Sequence, residues 1–125
     1  MSIRIRISTF VDDAEGNRKQ AFRTVDAYRR YEWEGITFYL HHTVARFDRD
    51  DVPVYTPGWT VTHGLSGMQV CVDSTQKHGE GKHTATGYGT WHKAKQLLDN
   101  AGKAKLLDIC ARPIREQGIA NPEPE

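Results

Sequence analysis

Two cysteines stand in 125 residues, Cys71 and Cys110, and no Cys-x-x-Cys pair exists. That scarcity excludes a zinc ribbon or a dithiol redox motif and leaves two small apolar side chains of a reducing compartment. No apolar run approaches the roughly 20 residues of a membrane-spanning helix. The opening Met1-Ser-Ile-Arg-Ile-Arg-Ile puts arginines where a secretory leader needs unbroken apolar residues. A cytoplasmic location with no membrane partner is therefore expected. Neither sign of charge prevails: 17 Lys and Arg stand against 16 Asp and Glu, for a formal net charge of +1. Such a balance argues against a protein that coats DNA, mimics it with carboxylates or lies on an anionic bilayer.

The motifs of catalysis are missing as well. There is no Gly-x-Ser-x-Gly elbow, no glycine-rich phosphate loop ending in Lys-Ser or Lys-Thr, and no His-Glu-x-x-His helix. Six histidines are present, and Cys71, His78, His83 and His92 come nearest to a ligand series. Their spacing matches no zinc finger, knuckle or ribbon, so no metal and no cofactor are expected. The stretch His41-His42-Thr43 contains one His-x-Thr and resembles half of the motif pair of two-histidine phosphoesterases. The second half is lacking, since His83 is followed two residues on by Ala85. Acid–base chemistry needs both groups on one substrate. The cluster Asp48, Asp50, Asp51 has neither the glycine nor the distal glutamate of a calcium loop. The expectation is a protein that is not an enzyme, with a metal or phosphoester enzyme as an alternative.

What is present is enough for one core: 38% hydrophobic residues, with three Trp, five Tyr and four Phe. A single α+β domain is expected over residues 1–117, followed by a disordered tail at 118–125. Ile3, Ile5 and Ile7 alternate with Arg4 and Arg6 as in a half-buried strand. Residues 11–20 read as an exposed loop. Thr24 to Glu34 carries both helical and strand signals, and a helix capped by Thr24 and closed by Gly35 is preferred. From Ile36 to Val44 β-prone residues alternate again, and 48–58, with two prolines and three aspartates, reads as a loop. Trp59–His63 and Met68–Val72 form a hairpin across Gly64-Leu-Ser-Gly67, with Met68, Val70 and Val72 facing Trp59, Val61 and His63. Residues 73–89 hold four glycines and almost no large apolar side chain, as a long loop would. From Thr90 the period becomes helical and stays in phase across Gly102, which implies one long helix or two nearly coaxial ones, until Pro113 forces an ending or a kink near Arg112. The fold class is thus a small antiparallel sheet, hairpin plus N-terminal strands, packed against a C-terminal amphipathic helix.

Around that helix, Lys93, Lys95, Lys103, Lys105 and Arg112 outnumber Asp99 and Asp108. The run Gly87-Tyr-Gly-Thr-Trp-His-Lys-Ala-Lys95 resembles the last strand and helix start of double-stranded RNA-binding domains. The resemblance implies phosphate contacts from His92, Lys93 and Lys95. A nucleic-acid-binding module using His92, Lys93, Lys95, Lys103 and Lys105 is accordingly the second expectation. A solvated helix face accounts for the same lysines.

The whole pattern, short, strand-rich early, with a Trp-x-Val-Thr-His strand and an Ala-, Lys- and Leu-rich helix, is similar in style to small accessory proteins of bacteriophages and mobile elements. That class includes inhibitors of host defence of the anti-CRISPR type. The resemblance implies a non-enzymatic protein that occupies a surface of a host protein or protein–nucleic acid complex, as monomer or homodimer. Aromatic and charged anchors suit that role. The candidate contact residues are Arg4 and Arg6 of the first strand, Asp48, Asp50, Asp51 and Tyr55 of the 48–58 segment, and Tyr88 of the 73–89 segment.

Overall fold

The computed structural model describes residues 3–12, 15–73 and 88–121. The fold is α+β, with two antiparallel sheets and two C-terminal helices. Strands β1 (Ile3–Asp12) and β2 (Arg18–Ala27) form a long hairpin, in register from Ile3 opposite Ala27 to Asp12 opposite Arg18. Strands β3 (Arg29–Trp33), β4 (Ile36–Phe47), β5 (Pro53–His63) and β6 (Gln69–Asp73) follow as a four-stranded meander. Helices α1 (Tyr88–Ala101) and α2 (Lys103–Gln117) close the chain.

The preferred helix at Thr24 to Glu34 is overturned. Those residues form the end of β2 and all of β3, with only Tyr28 between, whose amide donates to Leu40 O at 2.7 Å. The decisive reason is burial with period two: Val25, Ala27 and Trp33 are buried while Thr24, Asp26 and Glu32 are exposed. Gly35 keeps the positive φ expected of it, 79°, but uses it with Glu34 (φ 48°) in a two-residue hairpin turn, which requires positive φ at both positions. The loop expected at 11–20 shrinks to a short connection around Gly16 (φ 81°) because β1 and β2 both extend into it. The loop expected at 48–58 likewise ends at Val52. Pro57 is tolerated inside β5 because the β4–β5 ladder is irregular there, Trp59 pairing with His42 and Tyr55 with Val44.

Two clusters hold the layers together. On one face of the meander, Trp33, Phe38, Leu40, Trp59, Val61 and Cys71 pack against Trp91, Ala94, Leu98, Leu106 and Cys110 of the helices. Tyr31 stacks on Trp91 with centroids 4.4 Å apart, and Trp33 Nε1 donates to Asp99 Oδ1 at 2.8 Å, fixing α1 to β3. The hairpin supplies the second cluster: Ile5, Ile7, Val25 and Ala27 bury against Tyr39, Val44 and Phe47. Between them lies a polar layer, where Thr43 and Thr60 hydroxyls meet at 2.8 Å and His41 meets Thr62 at 2.7 Å.

Three further expectations change. The β5–β6 turn is where the sequence places it, but a bulge pairs Val61 with Cys71 and Thr62 with Gln69, so Cys71 turns into the core and Val72 out to solvent. The single helical stripe is interrupted at Gly102, whose φ of 89° and ψ of 152° end α1 and start α2. Pro113 does not end the second helix, which continues to Gln117. Gly118 to Asn121 lie within the described structure, Ala120 is buried, its amide donates to Leu65 O at 2.7 Å, and Arg6 Nε donates to its carbonyl at 2.6 Å. Residues 122–125 lie outside the described residues.

Candidate binding surface

The outward face of the hairpin sets Arg4 opposite Asp26 and Arg6 opposite Thr24, because Ile5, Ile7, Val25 and Ala27 take the inward face. Beside it runs the turn from β4 into β5. Asp48 shapes that turn, its Oδ1 accepting from the amides of Asp50 (2.8 Å) and Val52 (3.0 Å), while Asp51 sits at φ 60°. The hairpin and the turn meet where Tyr55 Oη accepts from the Asp26 amide at 2.9 Å and Arg23 reaches Asp51 at 3.5 Å while lying over the Phe47 ring. Between them is an open groove of about 300 Å³, lined by Arg4, Thr24, Asp26, Asp51, Val52, Pro53 and Tyr55 among others.

Three of the residues singled out by sequence, Arg4, Asp51 and Tyr55, thus share one groove. Arg6, Asp48 and Asp50 do not join it. Arg6 is consumed in structure: besides Ala120 O, its guanidinium donates to Ile119 O at 3.0 Å and lies 5.1 Å above the Phe22 ring. Asp48 and Asp50 border a separate depression with Arg49. Tyr88 opens α1, remote in sequence from both, and residues 74–87 lie outside the described residues. Sequence reasoning missed Thr24, Asp26, Val52 and Pro53. The first two were legible as the polar half of an alternation from Thr24 to Ala27, had that stretch been taken as a strand.

No family model, curated protein or solved structure matches this chain. The groove must therefore be judged on its chemistry. It carries both signs of charge, and its Arg4–Asp26 pair, 3.7 Å apart and largely solvated, holds little energy and is free to re-pair with an incoming group.

The histidines are differently placed. His41 is buried, its Nδ1–H donating to His42 O at 2.8 Å and its Nε2 accepting from Thr62. Burial holds its pKa below the ordinary histidine value, against the raising effect of that carbonyl and with His42 adding to the lowering. His63 is buried in the β5–β6 turn, where Ser66 Oγ lies 2.7 Å from its Nδ1. His42 stacks on Trp59 at 3.8 Å. Among the described residues no group of three or more His, Cys, Asp or Glu side chains is arranged to hold a metal, and His78 and His83 lie outside them. On the helices His92, Lys93, Lys95, Lys103 and Lys105 are all exposed. With about 3.6 residues per turn, Lys93 and Lys95 project from opposite flanks of α1, and Gly102 separates both from Lys103 and Lys105, so they do not form one stripe.

Proposed function

We propose that this chain is a non-enzymatic protein-interaction module that acts by occupying a partner's surface, as small phage-type accessory proteins and anti-defence inhibitors do. The observation that carries the reading is the convergence of Arg4, Asp51 and Tyr55 on one open groove between the hairpin and the β4–β5 turn. Its volume lies at the lower limit of the roughly 300–1,000 Å³ typical of small-ligand sites. An open surface of mixed charge with a tyrosine suits docking, where such groups set orientation and exclude wrong partners. Burial of His41 against Thr62 and of His63 against Ser66 supports the same reading, because neither histidine is presented to a substrate.

The test is capture of partners on the tagged full chain, with nuclease present, followed by affinity measurement on the protein recovered. Replacing Arg4 and Tyr55 together by alanine is expected to weaken that partner by at least about tenfold, the effect of one hot-spot residue. Unchanged affinity would remove this groove from the interface. Recovery of nucleic acid alone, lost as salt rises, would favour the helix lysines instead.

A further inference from the structure

A second groove lies on the other side of the molecule's sequence order, between β6 and the two helices. It holds about 250 Å³ and is lined by Met68, Val70, Leu97, Leu98, Leu106 and Ile109, with Cys110 at its floor. It lies at the junction where Gly102, with φ 89° and ψ 152°, ends the first helix and starts the second, and the apolar side chains there are only partly covered. Leu97 and Ile109, one on each helix, remain 49% and 48% exposed.

Size narrows what this groove holds. It falls below the range of about 300–1,000 Å³ used by drug-sized ligands and cofactors, so its natural filling is one or two apolar side chains. Charge narrows it further. Lys93 lies one turn before Leu97, and Lys105 one turn before Ile109, so each lysine stands on the flank of the apolar residue that lines the groove. Among the described residues neither lysine has a carboxylate within ion-pair distance. The third cation on that flank, Arg112, is already taken by Glu116 at 2.9 Å. An apolar trough is thus edged by one uncompensated ammonium on each wall.

We infer that this groove docks an acidic peptide segment of a partner protein, one or two apolar side chains entering between Leu97 and Ile109 while flanking carboxylates meet Lys93 and Lys105. The inference rests on the interaction reading above but uses a different surface and different residues. An anionic bilayer fits less well, because the apolar groups are recessed in a concavity rather than raised as a ridge. Complementary charge at the rim accelerates encounter and selects the partner, while the buried side chains hold it.

The test is selection of randomised twelve-residue peptides on the immobilised full chain, then fluorescence anisotropy of the enriched peptides. Peptides pairing leucine-like residues with Asp or Glu are expected. Their affinity should fall at least about tenfold in the Lys93→Glu, Lys105→Glu double variant, and again in Ile109→Asp, while Arg4→Ala, Tyr55→Ala leaves it unchanged. Far-UV circular dichroism confirms that each variant folds. The lysine variant is decisive if Ile109→Asp does not fold, both lysines being exposed. Failure to enrich any peptide, enrichment without acidic residues, or affinity indifferent to the lysines overturns the inference. So does a dimer, seen by sedimentation, that Ile109→Asp dissociates, since a second copy would then fill the groove. Loss of the captured partner on Arg4 and Tyr55 replacement is read separately, so either proposal can fail alone.

Discussion

His41 is the residue whose chemistry is most changed by the fold. Both ring nitrogens are engaged, one donating to a backbone carbonyl and one accepting from Thr62, so the neutral ring satisfies its site, and a charged ring would require the Thr62 hydroxyl to turn from donor to acceptor. Burial depresses its pKa in the folded state. The unfolded chain therefore binds a proton more readily than the native one. Stability attributable to His41 is complete above about pH 6.5, the unfolded value, and is lost as pH falls below it toward the native value. Urea midpoints measured from pH 8 to pH 5 should decline below about pH 6.5 in the wild type. In His41→Asn, compared with its own high-pH plateau, that decline should be shallower. Equal slopes would assign the pH dependence to other groups. Nothing in the local sequence foretold this role: His41 and His42 are neighbours, and only the pleat decides that one is enclosed in the polar layer and the other stacks on Trp59.

At the level of elements, the turns carry the information that periodicity does not. Gly67 and Gly102 both have positive φ, 73° and 89°, and both allow a chain reversal or break that a side chain resists. Their surroundings differ. A Cβ on Gly67 would lie 2.9 Å from Ser8 N and 3.1 Å from Ala120 Cβ, whereas one on Gly102 meets nothing within 4 Å. Gly102→Ala is expected to cost on the order of 1 kcal/mol, the conformational penalty alone. Gly67→Ala should cost clearly more, because β1 and the C-terminal segment must also move. Thermal unfolding of the two variants side by side checks the order, and equal losses would contradict the packing around Gly67. The elements themselves were unevenly legible. β1, β4 and the β5–β6 hairpin showed clean alternation, while β2 and β3 were hidden because Thr24, Asp26 and the arginines also fit a capped helix. The bulge that turned Cys71 inward had no local signal, since it arises from how β6 pairs with β5.

For the molecule as a whole, the four-stranded sheet is covered on one face by helices and on the other by the β1–β2 hairpin, and the layers are tied through distant residues. Asn121 is one such tie. Its side-chain amide pairs with the backbone of Arg6, accepting from N–H and donating to O, both at 2.8 Å, and donates also to Gly64 O at 2.8 Å. Cys71 and Cys110 lie buried within the helix-facing layer, and burial pushes the Cys110 thiol up, partly offset by its hydrogen bond with Ser66. Since the thiolate is the reactive form, both thiols should resist a disulfide reagent in native buffer and react on addition of denaturant. Fast reaction of either thiol in the native state would show that the helical layer opens locally rather than with the whole fold.

The amino-acid sequence by itself determined the class of this protein: a small α+β fold whose strands and helices follow from periods of two and 3.6 in its apolar residues. It also offered Arg4, Arg6, Asp48, Asp50, Asp51, Tyr55 and Tyr88 as candidate contact residues. Tertiary structure decided the rest. It made Arg6 a brace for the C-terminal segment, brought the hairpin's outer face beside the β4–β5 turn, and left an apolar groove where Gly102 divides the helices. The physical reason is that periodicity records which side of an element is apolar, whereas a groove or a tie depends on which distant element comes to lie against that side.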